Sequence, residues 1–204
     1  MKAIIGRKLG MTQLFTEDGA LIPATVIEAG PCPVVEVKTA DADGYDAVQL
    51  AFEPVEARKI TKPEAGHLAK AGVAPHRHLR EFRGATGLEV GATVTVETFS
   101  PGDRVKVAGT SVGKGFAGTV KRHNFGRGPE SHGSHNIRKP GSIGQSAYPA
   151  RVWKGLRMSG HMGAARRTQR GLVVIDHDAA NNVLIVAGSI PGPRGGLVEI
   201  REDV

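Results

Sequence analysis

SVGKGFAGTVKRHNFGRGPESHGSHNIRKPGSIGQSAYPARVWKGLRMSGHMGAARRTQR, running from Ser111 to Arg170, is the stretch that decides how this chain is built. It carries twelve Lys and Arg against a single acid, Glu130, a formal charge of +11. The other 144 residues hold 15 basic and 19 acidic side chains, a formal −4, which gives the total of +7. Only eight of the 60 residues are Val, Ile, Leu or Phe, and eleven are Gly. That apolar share falls under the ~20% below which a charged segment does not fold alone. Too little surface can be buried to offset the entropy of ordering the backbone. The stretch therefore reads as a long extension that takes its shape from a polyanion.

Its flanks say where it is attached. Val105-Lys106-Val107 precedes it and Leu172-Val173-Val174-Ile175 follows it, both strand-like. The extension thus leaves and re-enters one sheet. A path of roughly 30 residues each way, at ~3.3 Å per residue, reaches at most about 100 Å, and folding back shortens it.

The remaining sequence reads as strands. Lys2–Ile5, Thr12–Phe15, Leu21–Ala29, Val34–Lys38, Ala47–Phe52, Ala92–Phe99, Arg104–Ala108, Leu172–Asp176, Val183–Ala187 and Leu197–Arg201 are apolar or alternate apolar with polar. Turn residues separate them at Glu17-Asp18-Gly19, Ala29-Gly30-Pro31, Asp43-Gly44, Pro101-Gly102-Asp103 and Asn181-Asn182. Short strands with Gly and Pro turns point to a mainly β chain with a small antiparallel barrel. Pro54–Arg83 reads as a helical lid over one barrel end. Pro63 and Gly72 bracket one helix, and a second is expected over Val73–Phe82, where Leu79 and Phe82 share a face. Arg77, His78, Arg80 and Arg83 would form either a solvated face or an RNA-touching one. The expected organisation is a barrel body at 1–110 and 171–204, a lid at about 54–83, and the basic Gly-rich extension at 111–170.

Several function classes fall away. No run of 18 apolar residues could span a bilayer, no basic amphipathic helix offers a membrane face, and no signal-peptide pattern opens the chain. The lone cysteine, Cys32, forbids an internal disulfide, and with these features favours the cytosol. It has no local base or helix terminus to activate it and reads as an inert buried thiol. His132-x-x-His135 lacks the further ligands of a zinc site, so no metal is expected. Ser131, His132 and Ser134 have no orienting acid nearby, so no catalytic set emerges. Gly113-Lys114-Gly115-Phe116-Ala117-Gly118 matches G-x-G-x-x-G, and a nucleotide-binding enzyme built on it is the rival reading. A dinucleotide site also wants a βαβ unit and an acid about 20 residues on, where this chain has Arg138. No cofactor is expected. The glycines suit close backbone approach to phosphates instead.

Four aromatics lie in the extension: Phe116, Phe125, Tyr148 and Trp153. Without a core to join, Tyr148 and Trp153 read as platforms for bases or riboses, while Phe116 and Phe125 could equally pin the base of the extension. Histidines there read as donors to phosphate.

These motifs resemble, in order, those of the bacterial large-subunit ribosomal protein L-three family. The resemblance lies in Gly6-Arg7-Lys8-Leu9-Gly10-Met11-Thr12, then Gly115-Phe116-Ala117-Gly118 with Lys121-Arg122, then Ser131-His132-Gly133-Ser134-His135, Pro140-Gly141-Ser142-Ile143-Gly144, Gly160-His161-Met162-Gly163 and Pro191-Gly192-Pro193-Arg194-Gly195-Gly196. The resemblance implies a translation-protein barrel and a structural, non-enzymatic role. It implies direct binding to 23S-type rRNA near its 3′ end, early action in subunit assembly, and an extension reaching toward the peptidyl-transferase centre. It implies ribosomal proteins L-fourteen and L-nineteen as neighbours, methylation at Gln145 in some members, and a cytoplasmic location with no membrane and no homo-oligomer. The residues expected on RNA are Lys114, Lys121, Arg122, His123, Arg127, His132, His135, Arg138, Lys139, Gln145, Tyr148, Arg151, Trp153, Lys154, Arg157, His161, Arg166, Arg167 and Arg170.

Overall fold

Strands whose inward positions are Val, Ile or Leu close here into a ring. In β1 (Ala3–Phe15) and β2 (Leu21–Ala29), Ile4 and Ile27 are fully buried. In β7 (Arg104–Thr110) the buried Val105 and Val107 alternate with Lys106. Leu172 and Val174 of β10 (Arg166–Asp178), Leu184 and Val186 of β11 (Val183–Ala187), and Val198 and Ile200 of β12 (Leu197–Glu202) complete the lining. Together they form a closed six-stranded antiparallel barrel in the order β1-β12-β7-β10-β11-β2. A closed ring leaves no sheet edge along the paired lengths. The fold is a computed structural model that describes residues 2–16, 18–84 and 87–203. Met1, Val204 and Glu17 of the first expected turn lie outside the described residues.

The sequence expected two strands where β1 runs unbroken. Gly6, between them, pairs with both Val198 and Ala29. A Cβ there would meet the Glu28 carbonyl oxygen at 2.7 Å, so the strand needs glycine to let β2 lie this close. Register shifts between Lys8 and Gly10, a bulge at Leu9.

A second sheet packs beside the barrel in the order β5-β4-β3-β6, built from β3 (Cys32–Lys38), β4 (Ala47–Pro54), β5 (His76–Arg83) and β6 (Thr93–Val94). One turn of helix, α1 (Ala40–Asp43), joins β3 to β4. Val34, Val48, Leu50 and Phe82 face the barrel core; Val35, Ala51 and Leu79 face a smaller cluster around Leu68. Leu68 sits on α2 (Lys62–Lys70), which His67 ties to β4 by donating to Gln49 at 2.6 Å.

Three expectations fail here. Val73–Phe82 is not a second helix: His76–Arg83 is β5, pairing with β4 from Ala47↔Arg83 to Pro54↔His76. The three-residue step from Leu79 to Phe82 suggested one helical face, but on a strand an odd step puts them on opposite faces. Their division between the two clusters shows that period. The helix that does form covers the outer face of the second sheet rather than a barrel end. Ala92–Phe99, expected as a strand, contributes only Thr93–Val94 to a ladder before a 3-10 turn at Val96–Thr98.

The chain divides into two units, residues 1–111 with 166–204, and residues 112–165. Thr110 and Arg166 are ladder partners, so the chain leaves and re-enters the first unit at one place in the sheet. β10 begins at Arg166, earlier than the strand expected at Leu172, so Arg166, Arg167 and Arg170 belong to the barrel.

Candidate nucleic-acid interface

Residues 112–165 carry nine Lys and Arg against Glu130, a formal +8, while the first unit sums to −1. The base of this second unit is a small hairpin. β8 (Phe116–Ala117) pairs with β9 (Gly160–His161), and Lys114 N–H donates to the Met162 carbonyl at 2.8 Å. A short helix, α3 (Thr119–His123), follows β8 and ends at Asn124 in the left-handed region. From it Arg122 donates to the Met158 carbonyl at 2.8 Å, and the His123 ring nitrogen lies 3.0 Å from the same oxygen. Arg122 and His123 thereby hold the returning chain against the departing one. Met158 was missed by sequence reasoning, because a backbone carbonyl has no signature in sequence.

Residues 124–159 form no helix or ladder strand. Ala117 and Thr119 are the buried residues of this unit, and neither hydrophobic cluster includes any of its side chains. Where backbones meet they touch through glycine: a Cβ on Gly128 would lie 2.0 Å from the Asn136 carbonyl oxygen.

The predicted contact residues separate into groups. His135 and Lys139 line one cleft of about 580 Å3, beside Asn136 and Pro140. Gln145 and Arg151 line another of about 490 Å3. The Arg151 guanidinium carbon lies 4.7 Å from the Trp153 ring centroid, an intramolecular cation–π pair that keeps both groups at the surface. Tyr148 and Phe116 are 84% and 80% exposed, the barest aromatic rings of this unit. Phe125 is half-buried beside His123, ring centroids 6.1 Å apart. Lys114, Lys121, Arg138, Lys154 and Arg157 are exposed, as are His132 and His161. Among the described residues, Arg127–Glu130 at 2.9 Å is the one ion pair of the unit.

Arg166, Arg167 and Arg170 stand apart from that group. Arg166 bonds Glu199 at 2.5 Å. Arg170 grips Asp203 through Nη2 at 2.7 Å and Nε at 3.0 Å, which raises the guanidinium pKa and depresses the carboxyl's. The β5 arginines are likewise matched: Arg77 faces Glu53, Arg80 faces Glu199, and Arg83 faces Glu81 while lying over the Tyr45 ring; His78 also lies against Glu53, but burial lowers its pKa below the ordinary imidazole value and keeps it neutral near pH 7.

The Gly113–Gly118 loop leads into a two-residue strand and a five-residue helix rather than a βαβ crossover. That removes the structural context a dinucleotide site requires. Among the described residues no three His, Cys, Asp or Glu side chains gather as metal ligands.

The first and last motifs of the sequence meet each other. Lys8 is 9% exposed, and its ammonium donates to the Ile190 and Gly192 carbonyls at 2.9 and 3.0 Å. Arg194 donates to the Leu9 carbonyl, and Gly195 N–H to that of Lys8. These motifs tie β1 at Lys8 and Leu9 to the segment that leads into β12.

The family model for Ribosomal protein L3 matches residues 85–182, which contain the whole second unit. Curated relatives extend the likeness to nearly the entire chain. Large ribosomal subunit protein uL3 of Synechococcus sp. (strain JA-3-3Ab) is 54% identical over 200 residues, 97% of this chain and 94% of that protein. The proteins of the same name from Acidothermus cellulolyticus and Desulforapulum autotrophicum are 53% and 49% identical, covering 98% and 100% of this chain and 92% and 99% of theirs. The chain belongs to the ribosomal protein L3 family. Membership in the L3 family makes it a structural constituent of the large ribosomal subunit and not an enzyme.

Proposed function

We propose that this chain binds large-subunit rRNA directly, mainly through residues 112–165, and works in the cytoplasm as part of the ribosome. One observation carries the reading: nine cations share a unit with one carboxylate ion pair and two buried residues. Such a unit neither balances its charge nor fills a core from within, and phosphate supplies what is missing. Lys114, Lys121, Arg138, Lys139, Arg151, Lys154 and Arg157 are the phosphate contacts. Arg127 joins them at the expense of Glu130, and His132, His135 and His161 donate where the backbone comes close. Tyr148 and Trp153 stack on bases or riboses, which every nucleotide offers irrespective of sequence. Arg122 and His123 shape the insertion. Of the barrel cations, Arg167 is available, while Arg166 and Arg170 are already neutralised in place.

The finer role follows from the likeness to L3 proteins. The chain binds 23S-type rRNA near its 3′ end, enters early in assembly, sends its insertion toward the peptidyl-transferase centre and sits beside ribosomal proteins L14 and L19. Gln145, exposed at the rim of its cleft, is accessible to a methyltransferase. The test is binding of the full chain to a 3′-terminal rRNA fragment against an internal fragment of equal length. Preference for the terminal fragment, lost on replacing the seven insertion cations by Gln, supports the reading. Equal binding of both fragments, or binding unaffected by the seven replacements, rejects it.

A further inference from the structure

From Leu9 to Val37 the chain has no Lys or Arg, its longest cation-free run. This run contains the distal part of β1, the turn and all of β2. β1 pairs with β12 only as far as Arg7↔Leu197, and β2 pairs with β11 only from Ala24 to Glu28. Gly10–Phe15 and Leu21–Pro23 therefore continue past the barrel's ladders as a two-stranded ribbon, whose β1 edge has no neighbouring strand among the described residues.

Alternation along β1 puts Met11, Gln13 and Phe15 on one face, opposite Thr25, Pro23 and Leu21. Met11 is 51% exposed, Phe15 71% and Leu21 50%. Phe15 and Leu21 are direct ladder partners, so their side chains form one patch. Apolar groups gathered on an open-edged ribbon mark a contact surface. The charge around the patch selects the partner. Asp18 stands in the turn and Glu17 adjoins it in sequence, while Arg194, the cation beside Gly10 at the foot of the ribbon, is bound to the Leu9 carbonyl. A nucleic-acid phosphate at the turn would face like charge.

The geometry points to the β1–β2 ribbon as a protein-docking surface: a neighbouring protein of the large subunit lays an apolar strand, rimmed by Lys or Arg, along the open β1 edge and over Met11, Phe15 and Leu21. The strand's main chain completes the unpaired ladder, its side chains cover the patch, and its basic rim meets the acidic turn. The inference rests on the chain being a large-subunit constituent and is independent of how the insertion binds RNA.

The test uses the full chain with a benzophenone amino acid at position 15, assembled into large subunits whose content of the tagged chain is verified by sedimentation before irradiation. The expected product is a crosslink to one other ribosomal protein, at an apolar peptide with Lys or Arg within a few residues. A crosslink to rRNA, a crosslink to a second copy of this chain, or no crosslink in those verified subunits overturns the proposal. A second measurement uses Phe15→Ser with Leu21→Ser, both exposed and so expected to leave the melting temperature unchanged. Retention of the crosslinked neighbour in salt-washed subunits should weaken about tenfold. Undiminished retention overturns the proposal too.

Discussion

Replacing Lys139, Arg151 and Lys154 together by Gln removes three exposed cations without disturbing a buried group. Seven insertion cations are exposed without a carboxylate partner: Lys114, Lys121, Arg138, Lys139, Arg151, Lys154 and Arg157. Each phosphate contact contributes about −0.7 to −0.9 to the slope of log affinity against log salt. Seven contacts give a slope of about −5 to −6, and the triple variant about −3 to −4. Between about 50 and 200 mM salt the parent should lose roughly 10³–10⁴ in affinity and the variant roughly 10². Filter binding or fluorescence anisotropy on a large-subunit rRNA fragment measures both. The comparison variant is Arg166→Gln with Arg170→Gln, whose guanidinium groups are held by Glu199 and Asp203. Its slope should match the parent's. If the barrel pair lowers the slope as much as the insertion triple does, or the triple leaves it unchanged, assigning the phosphate contacts to the insertion is wrong.

Lys8→Met keeps the aliphatic stem but leaves two carbonyls without their donor; it should cost about 2–4 kcal/mol, seen as a lower urea midpoint at unchanged m. Cys32 is fully buried, and burial pushes its thiol up to about 12, so a thiol reagent should label it only at the rate at which the body opens; fast labelling of native protein would contradict that packing. Asp203 is held below the ordinary carboxyl value chiefly by Arg170, so its stabilising effect is present above about pH 4 and fades as pH falls through its lowered pKa. Asp203→Asn should therefore be less stable than the parent near neutral pH, with the two converging in acid melts. Replacing residues 112–165 by Asn-Gly joins β7 to β10 where Thr110 and Arg166 already pair; the body should still melt cooperatively, while sedimentation with large subunits is impaired.

The barrel was legible because its strands are short, apolar inward and punctuated by Gly, Pro and Asn. Val183–Ala187 falls where the alternation put it. β5 was misread because Leu79 and Phe82 satisfy a helical spacing and a strand's two faces equally well, and only the β4 edge decides between them. Between Lys2–Ile5 and Thr12–Phe15 the sequence announces no strand, yet β1 continues through that segment because Gly6 permits two backbones to approach. At the candidate interface, charge density and apolar poverty were visible in composition. The partners of individual charges were not. Arg166 and Arg170 each meet a carboxylate 33 residues away, brought near by β12 and the residues that follow it, and nothing local in the sequence announces that pairing.

That pairing explains why the charge boundary lies where it does. Arg77, Arg80, Arg166 and Arg170 look in sequence like the insertion's arginines, yet each meets a body carboxylate, and the first unit sums to −1. The barrel thus needs no polyanion to balance its charge, and its apolar interior gives it a reason to fold without one. In the insertion the balance is opposite. Like charges ~10 Å apart repel by about 0.4 kcal/mol in water, and nine cations supply many such pairs, with Glu130 alone opposing them. No hydrophobic cluster offsets that repulsion within residues 112–165. A phosphate backbone reverses its sign and supplies the packing surface at once. Body and insertion therefore differ in what stabilises them: the body by burial and internal ion pairs, the insertion, on the function proposed above, by RNA.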